Sequence, residues 1–163
     1  MSAQIPAGIE IPLRNPEQRV FVNLVRAHVA TTRLLSAGLE QRHGLTLNDY
    51  EVLLYLSHAP DRMMRRVDLA RSILLTPSGI TRLLEGLERS GYVERKKCDS
   101  DARVTYACLT DAGLAKLREA SESHLEEIRL HFGDRFSEDE LETLQALLSR
   151  LELDAAGPTD CTP

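Results

Sequence analysis

Apolar positions recur at helical spacing over most of the chain and change to a two-residue period once. From Pro16 onward, Phe21, Leu24, Val25, His28 or Val29, Thr32 and Leu35 fall three or four residues apart, which predicts a long first helix. Asn15 suits its N-cap, Pro16 its first position, and His43-Gly44 its end. A second helix is expected from about Leu47 to Ser57, carrying Val52, Leu53, Tyr55 and Leu56, and stopped by Ala59-Pro60. Two short helical segments follow, "RRVDLARSI" over 65–73 and "TPSGITRLLEGLERSG" over 76–91. In the second, Thr76-Pro77 reads as N-cap and first-turn proline, and Gly91 as the C-cap. Ile80, Leu83, Leu84 and Leu87 share one of its faces; Ser78, Thr81, Arg82, Glu85 and Arg89 share the other.

After Gly91 the period changes. "YVERKKC" and "RVTYACL" are rich in strand formers, and Val104, Tyr106 and Cys108 alternate with Thr105 and Ala107 as in a half-buried strand. Between them Asp99-Ser100-Asp101-Ala102 offers turn chemistry, so a hairpin is expected. Thr110 then caps a helix over roughly 111–132, and Ser137 with Glu140 forms a capping box for a last helix ending near Leu153. Residues 1–15 read as a flexible arm and 155–163 as a disordered tail.

The length of 163 residues fits one domain with helical extensions. The chain has no run of about 18 apolar residues, so no membrane span is expected, and the start "MSAQIPAGIEIPLRNP" lacks a secretory pattern. A cytoplasmic protein is the expectation. Cys98, Cys108 and Cys161 make no C-x-x-C pair, so neither a metal nor another cofactor is expected. The net charge of −5 hides a division along the chain. Asp61 to Tyr106 holds ten basic against seven acidic residues, whereas Thr110 to Asp154 holds five against twelve. The positive portion contains the short helices and the hairpin.

Two short helices joined by a tight turn, followed by a basic hairpin, form the plan of a winged helix-turn-helix. The second short helix offers hydroxyl and guanidinium groups, the types that read base edges in a major groove. Arg103 at the hairpin tip suits a minor groove, and Arg95, Lys96 and Lys97 suit phosphates, with Asp101 placed to hold Arg103. Double-stranded DNA is the expected partner.

The stretch "DLARSILLTPSGITRLLEGLERSGYVERKKCDSDARVTYACLTDAG" resembles the DNA-binding core of the MarR family of bacterial transcription regulators. The likeness lies in "LA", "TRLLEGLERSGYVER", "D-A-R" and "LTDAG", and with the flanking helices it covers about Pro16 to Leu153. It implies a mainly helical fold with a small β-hairpin wing, and a homodimer on a pseudo-palindromic operator. The usual role implied is a repressor relieved by a small molecule or an oxidant. Ser78, Thr81 and Arg82 fall on matched recognition-helix positions and Arg103 on the wing-tip arginine. Thr76, Pro77 and Gly79 stand at the helix start, where backbone amides can face a phosphate. The expected organisation is an arm over 1–15, an N-terminal dimerisation helix over 16–45, the winged domain over 46–110, C-terminal dimerisation helices over 111–154, and a tail.

Leu141, Leu144, Leu148 and Leu151 form an apolar stripe on the last helix, and with Phe21 and Leu24 they are the expected dimer interface. Effectors of relatives occupy a crevice where the first and second helices meet, which makes Arg26, His28 and Tyr50 ligand candidates for an anionic or phenolic compound. Each also has an ordinary reading: a surface charge, a core histidine and a buried ring. An alternative trigger is oxidation through Cys98 or Cys108, with Lys96 and Lys97 favouring a Cys98 thiolate. Another alternative is a winged-helix module that binds protein, which would want an apolar or acidic recognition face. No phosphate loop, nucleophile elbow or metal-spaced set is present, so an enzyme is not expected.

Overall fold

The computed structural model describes residues 15–97 and 104–152. Its elements run α1 (Pro16–His43), α2 (Leu47–His58), a 3-10 turn (Pro60–Arg62), β1 (Met63–Arg65), α3 (Arg66–Ser72), α4 (Pro77–Arg89), β2 (Val93–Lys97), β3 (Thr105–Leu109), α5 (Asp111–Gly133) and α6 (Glu138–Glu152). The helices lie within a residue or two of their expected bounds.

The helix ends follow local chemistry. The Asn15 N–H donates to the Gln18 side chain at 3.4 Å at the start of α1. Thr46 and Asp49 cap α2 reciprocally, at 3.2 Å and 2.9 Å. At the end of α4, Tyr92 N–H donates to Leu87 O at 3.0 Å and Gly91 N–H to Glu88 O at 2.9 Å. Those are the two bonds of a Schellman motif, and Gly91 takes the left-handed position with φ of 74°. The same pair of bonds closes α3, from Leu75 to Ala70 and from Leu74 to Arg71, with Leu74 left-handed at φ 54°.

Helix α2 is the hub. Val52, Leu53 and Leu56 are fully buried, and they pack in one cluster with Leu39 of α1, Leu69 of α3, Ile80, Leu84 and Leu87 of α4, Val93 of β2, Leu109 of β3 and Leu117 of α5. This cluster fixes α3 and α4 as a helix-turn-helix against the sheet. By contrast Phe21, 66% exposed, Leu24 and Val25 on α1 face outward, and no residue of α6 from Glu138 to Leu151 is buried.

The expected hairpin is present as the antiparallel pair of β2 and β3, and a third strand extends it. The sheet has three strands in the order β1-β3-β2, both pairs antiparallel, so β3 is central. Asp61 and Arg62, with φ of 51° and 55°, reverse the chain after Pro60 and deliver Met63 opposite Cys108. The half-buried alternation expected over 104–108 is absent: Ala107 and Leu109 join the core on one face, and Cys108, between Met63 and Glu94 on the other, is buried as well. The expected turn at 99–102 lies outside the described residues.

Thr110 joins the wing to α5. Its hydroxyl donates to Gly91 O at 2.7 Å and accepts from Gly113 N–H at 3.0 Å, capping the helix. Gly113 lies so near this corner that a Cβ there would overlap the Tyr92 carbonyl. Gly113→Ala should lower stability by about 1–3 kcal/mol, because backbone must move to admit the methyl group. Gly133→Ala, where a Cβ meets nothing within 4 Å, serves as the helix-propensity control. Thermal unfolding of the two variants checks this, and equal melting temperatures would refute the close approach.

Candidate nucleic-acid interface

Helix α4 separates its residues by face. Ile80, Leu84 and Leu87 are buried, while Ser78, Arg82, Glu85 and Arg89, spaced four, three and four apart, form one exposed stripe. The start of the helix is organised by Thr76, whose hydroxyl oxygen accepts from Gly79 N–H at 3.1 Å and lies 3.2 Å from the Ser78 hydroxyl. Thr76, Pro77 and Ser78 are exposed and Gly79 is half-buried. The Thr81 hydroxyl donates to Pro77 O at 2.7 Å. Its proton is thus committed to the helix, leaving oxygen lone pairs and a methyl group for any partner. Arg82 makes no ion pair among the described residues, so its five donors face solvent.

The strand pleat sorts the basic run of β2. Val93, Arg95 and Lys97 lie opposite Leu109, Ala107 and Thr105, on the face that carries the buried Val93. Glu94 and Lys96 point to the other face, with Cys108. Arg95 reaches back to α4: its Nε donates to Glu88, and its guanidinium stands 3.8 Å from Glu85. Arg95 is thus a brace between wing and helix in the free protein, where the sequence suggested an open phosphate contact. Glu85, which would repel a phosphate, has its charge partly met by the same guanidinium. Lys97 shares the α4 side and has no ion pair among the described residues. Arg103 and Asp101 lie outside the described residues, as do Cys98 and Cys161.

Burial pushes the Cys108 thiol up, reinforced by Glu94 and opposed by Lys96. The thiolate is the reactive form, so this cysteine is held in its inert state.

The ligand candidates are not gathered into one place. Arg26 and His28, two residues apart on α1, project about 200° from one another around the helix, and both are exposed. His28 lies near α2, where its charge acts on Glu51, whose carboxyl is raised by burial and lowered by His28. Tyr50 is buried, its hydroxyl 3.1 Å from Ser121 Oγ and its ring centroid 4.6 Å from that of His124. Sequence reading missed His124, since one histidine among the charged residues of α5 carries no local mark of burial. It also missed His43, bonded to Ser123 at 2.7 Å and to Glu119 at 3.2 Å, which lowers the Glu119 carboxyl.

Among the described residues no group of three His, Cys, Asp or Glu side chains is placed to hold a metal ion, and no helix is long and apolar enough to cross a membrane.

Comparison with known proteins places the same surface in context. The MarR family profile matches residues 43–104. The regulator MhqR of Bacillus subtilis is 29% identical over 84% of this chain and 92% of its own. AbsC, a MarR family transcriptional regulator of Streptomyces coelicolor, is 31% identical, superimposes with a TM-score of 0.78, and is matched over 90% of this chain and 98% of its own. Sco3205 from the same organism, a MarR family regulator solved in complex with DNA, is 28% identical with a TM-score of 0.78 over 88% of this chain and 89% of its own.

The pairing of Arg95 sets an expectation for the wing. Lys97→Ala should reduce the slope of log affinity for duplex DNA against log salt by roughly one phosphate contact. Arg95→Ala, whose charge Glu88 already meets, should reduce it by less. Equal reductions in a fluorescence anisotropy salt series would show that Arg95 abandons Glu88 on DNA.

Proposed function

Since the chain belongs to the MarR family of winged helix-turn-helix transcription regulators, which are DNA-binding proteins and not enzymes, we propose that it is a cytoplasmic homodimeric repressor of a pseudo-palindromic operator. The observation that carries this reading is the exposed Ser78, Arg82, Glu85 and Arg89 stripe on α4, beside a basic strand in an otherwise acidic chain. Ser78, Thr81 and Arg82 enter the major groove, the helix start at Thr76, Pro77 and Gly79 faces a phosphate, Lys96 and Lys97 approach phosphates, and Arg103, supported by Asp101, enters the minor groove. The face is neither apolar nor acidic, which tells against a module that binds protein.

The dimer is supported by what the single chain leaves uncovered. Phe21, Leu24, Leu148 and Leu151 are exposed, and Leu141 and Leu144 are half-buried. A helix with no buried side chain from Glu138 to Leu151 is marginal by itself, and pairing through α1 and α6 gives it a core. Two recognition helices related by a two-fold axis then read half-sites about one helical turn, roughly 10 bp, apart.

A small organic ligand, anionic or phenolic, releases the repressor. Arg26, His28 and Tyr50 stay its candidate recognition groups, although they stand apart in the single chain, with Tyr50 buried and its hydroxyl bonded to Ser121. The Cys108 thiol, pushed up by its burial, tells against oxidation at that cysteine.

Arg82→Ala and Arg103→Ala should each weaken operator binding by about 1–3 kcal/mol, measured on a duplex selected from a random library. Sedimentation should show a dimer at micromolar concentration; a monomer that stays unpaired on the duplex would refute the two-fold reading. For the trigger, DNA complexes are titrated with aromatic acids, phenols and peroxide, in wild type and with Cys98, Cys108 and Cys161 all replaced by Ser. Release by a small molecule in both proteins supports the ligand. Release by peroxide in wild type alone, with no compound acting on either, transfers the role to cysteine.

A further inference from the structure

Among the described residues, the one buried side-chain nitrogen or oxygen left without a hydrogen-bond partner is His124 Nδ1. Such groups are uncommon in folded proteins and ask for a reason. His124 is 4% exposed, on α5, with its ring against Tyr50 of α2 at a 54° tilt. The Tyr50 hydroxyl is taken by Ser121, so it does not serve the imidazole. One turn along α5, the Glu127 carboxylate points to α1, 3.0 Å from Arg42 Nη2. It occupies the space above Gly38, where any Cβ would overlap it. A histidine with no partner at Nδ1 and a carboxylate committed elsewhere thus stand three residues apart on one helix, each turned to a different neighbouring helix.

We infer that His124 is a proton-responsive joint between the DNA-reading unit and the long helices. When it gains a proton from solvent, it draws Glu127 from Arg42, loosens α5 against α1 and α2, and lowers affinity for DNA. The inference rests on the DNA-binding reading for its last step only.

The neutral ring fits as it stands. Protonation adds a charge and a second N–H donor in a buried place with no acceptor, a state that must move toward water or find a carboxylate. Glu127 is the carboxylate within the same turn, and its capture breaks the ion pair to α1. The other charged and titratable groups at the seam are Arg42 and His43 from α1, Tyr50 and Glu51 from α2, and Glu119 from α5. Of the carboxylates among them, Glu119 is bonded to His43 and Glu51 stands on α2 beside the charge of His28, whereas Glu127 shares the helix of His124 and acts on it directly. Because α2 packs on α3 and α4 as well as α5, slack at this seam reaches the recognition helix.

The direction of the pH effect follows from the burial, which lowers the affinity of His124 for a proton, with Glu127 acting against it. A histidine whose folded value is depressed contributes stability that is fully present above its ordinary value, about 6.5, and lost as pH falls below that. Affinity for DNA should therefore fall from pH 7.5 to 5.5, against the general tendency of added positive charge to strengthen binding.

The test uses the full chain and a duplex selected at pH 7.5 from a random library. Affinity at constant ionic strength, and hydrogen exchange of α2 and α5 in the free protein, are measured at pH 7.5 and 5.5 for wild type and His124→Phe, which keeps a ring against Tyr50. Wild type should lose severalfold more affinity than the variant, and at pH 5.5 its α2 and α5 should exchange faster than those of the variant at the same pH. Superimposable profiles overturn the joint. Should His124→Phe fail to fold, Glu127→Gln takes its place: without the carboxylate, the midpoint of the acid effect should move to lower pH, and an unmoved midpoint overturns the proposal. If no duplex is selected at pH 7.5 the DNA reading fails, and the exchange data still decide the joint.

Discussion

Everything in the fold depends on covering α2. With Val52, Leu53 and Leu56 fully buried, this 12-residue helix needs apolar surface on nearly every side. The neighbours that supply it are α1, α3, α4, α5 and the sheet. Burial of aliphatic side chains at roughly 25 cal/mol per Å² is the dominant favourable term, and close packing makes the positions of the surrounding helices mutually dependent. The tilt of α4, and hence the direction in which Arg82 points, is set by Ile80, Leu84 and Leu87 on its opposite side.

The hub also explains the contrast between the two ends of the molecule. The winged domain buries the apolar face of α4 in its own core, so the opposite face of that helix is free to be polar and to read a polyanion. The long helices do not bury theirs: the first half of α1 and all of α6 leave Phe21, Leu24, Val25, Leu147 and Leu151 in solvent. Phe136, Leu144 and Leu147 line one apolar groove beside α6. In the proposed dimer, the seam of α1, α2 and α5 would lie between the contacts of the two chains and the recognition helix. Displacement there would change the spacing of two recognition helices, and a rigid duplex tolerates little such change.

Charge is arranged with similar economy. Arg95 neutralises Glu88 and moderates Glu85, so the acidic residues of α4 do not oppose DNA, while Lys97 and Arg82 stay available. A surface ion pair of this kind adds little stability. Its value lies in fixing the wing strand relative to the helix, which sets where the remaining cations meet a backbone.

Much of this was legible in the residues themselves. Helix ends at Thr46, Thr76, Thr110 and Ser137 are dictated by side chains bonding amides two or three residues away, and the faces of α4 follow from a 3.6-residue period; both are local, so sequence determines them. The exposed polar stripe from Ser78 to Arg89 was readable for the same reason. Only the tertiary structure decided what depends on partners distant in the chain. Three residues, Met63–Arg65, are too few to show a period, and they become a strand because β3 offers an open edge. That addition buries Cys108 and cancels the expected alternation. Arg95 looked like its neighbours Lys96 and Lys97 until the pleat and Glu88 separated them. His124 has no sequence mark of its own; its burial against Tyr50, 74 positions earlier, arises from the packing of α5 on α2, a long-range contact that no local pattern encodes.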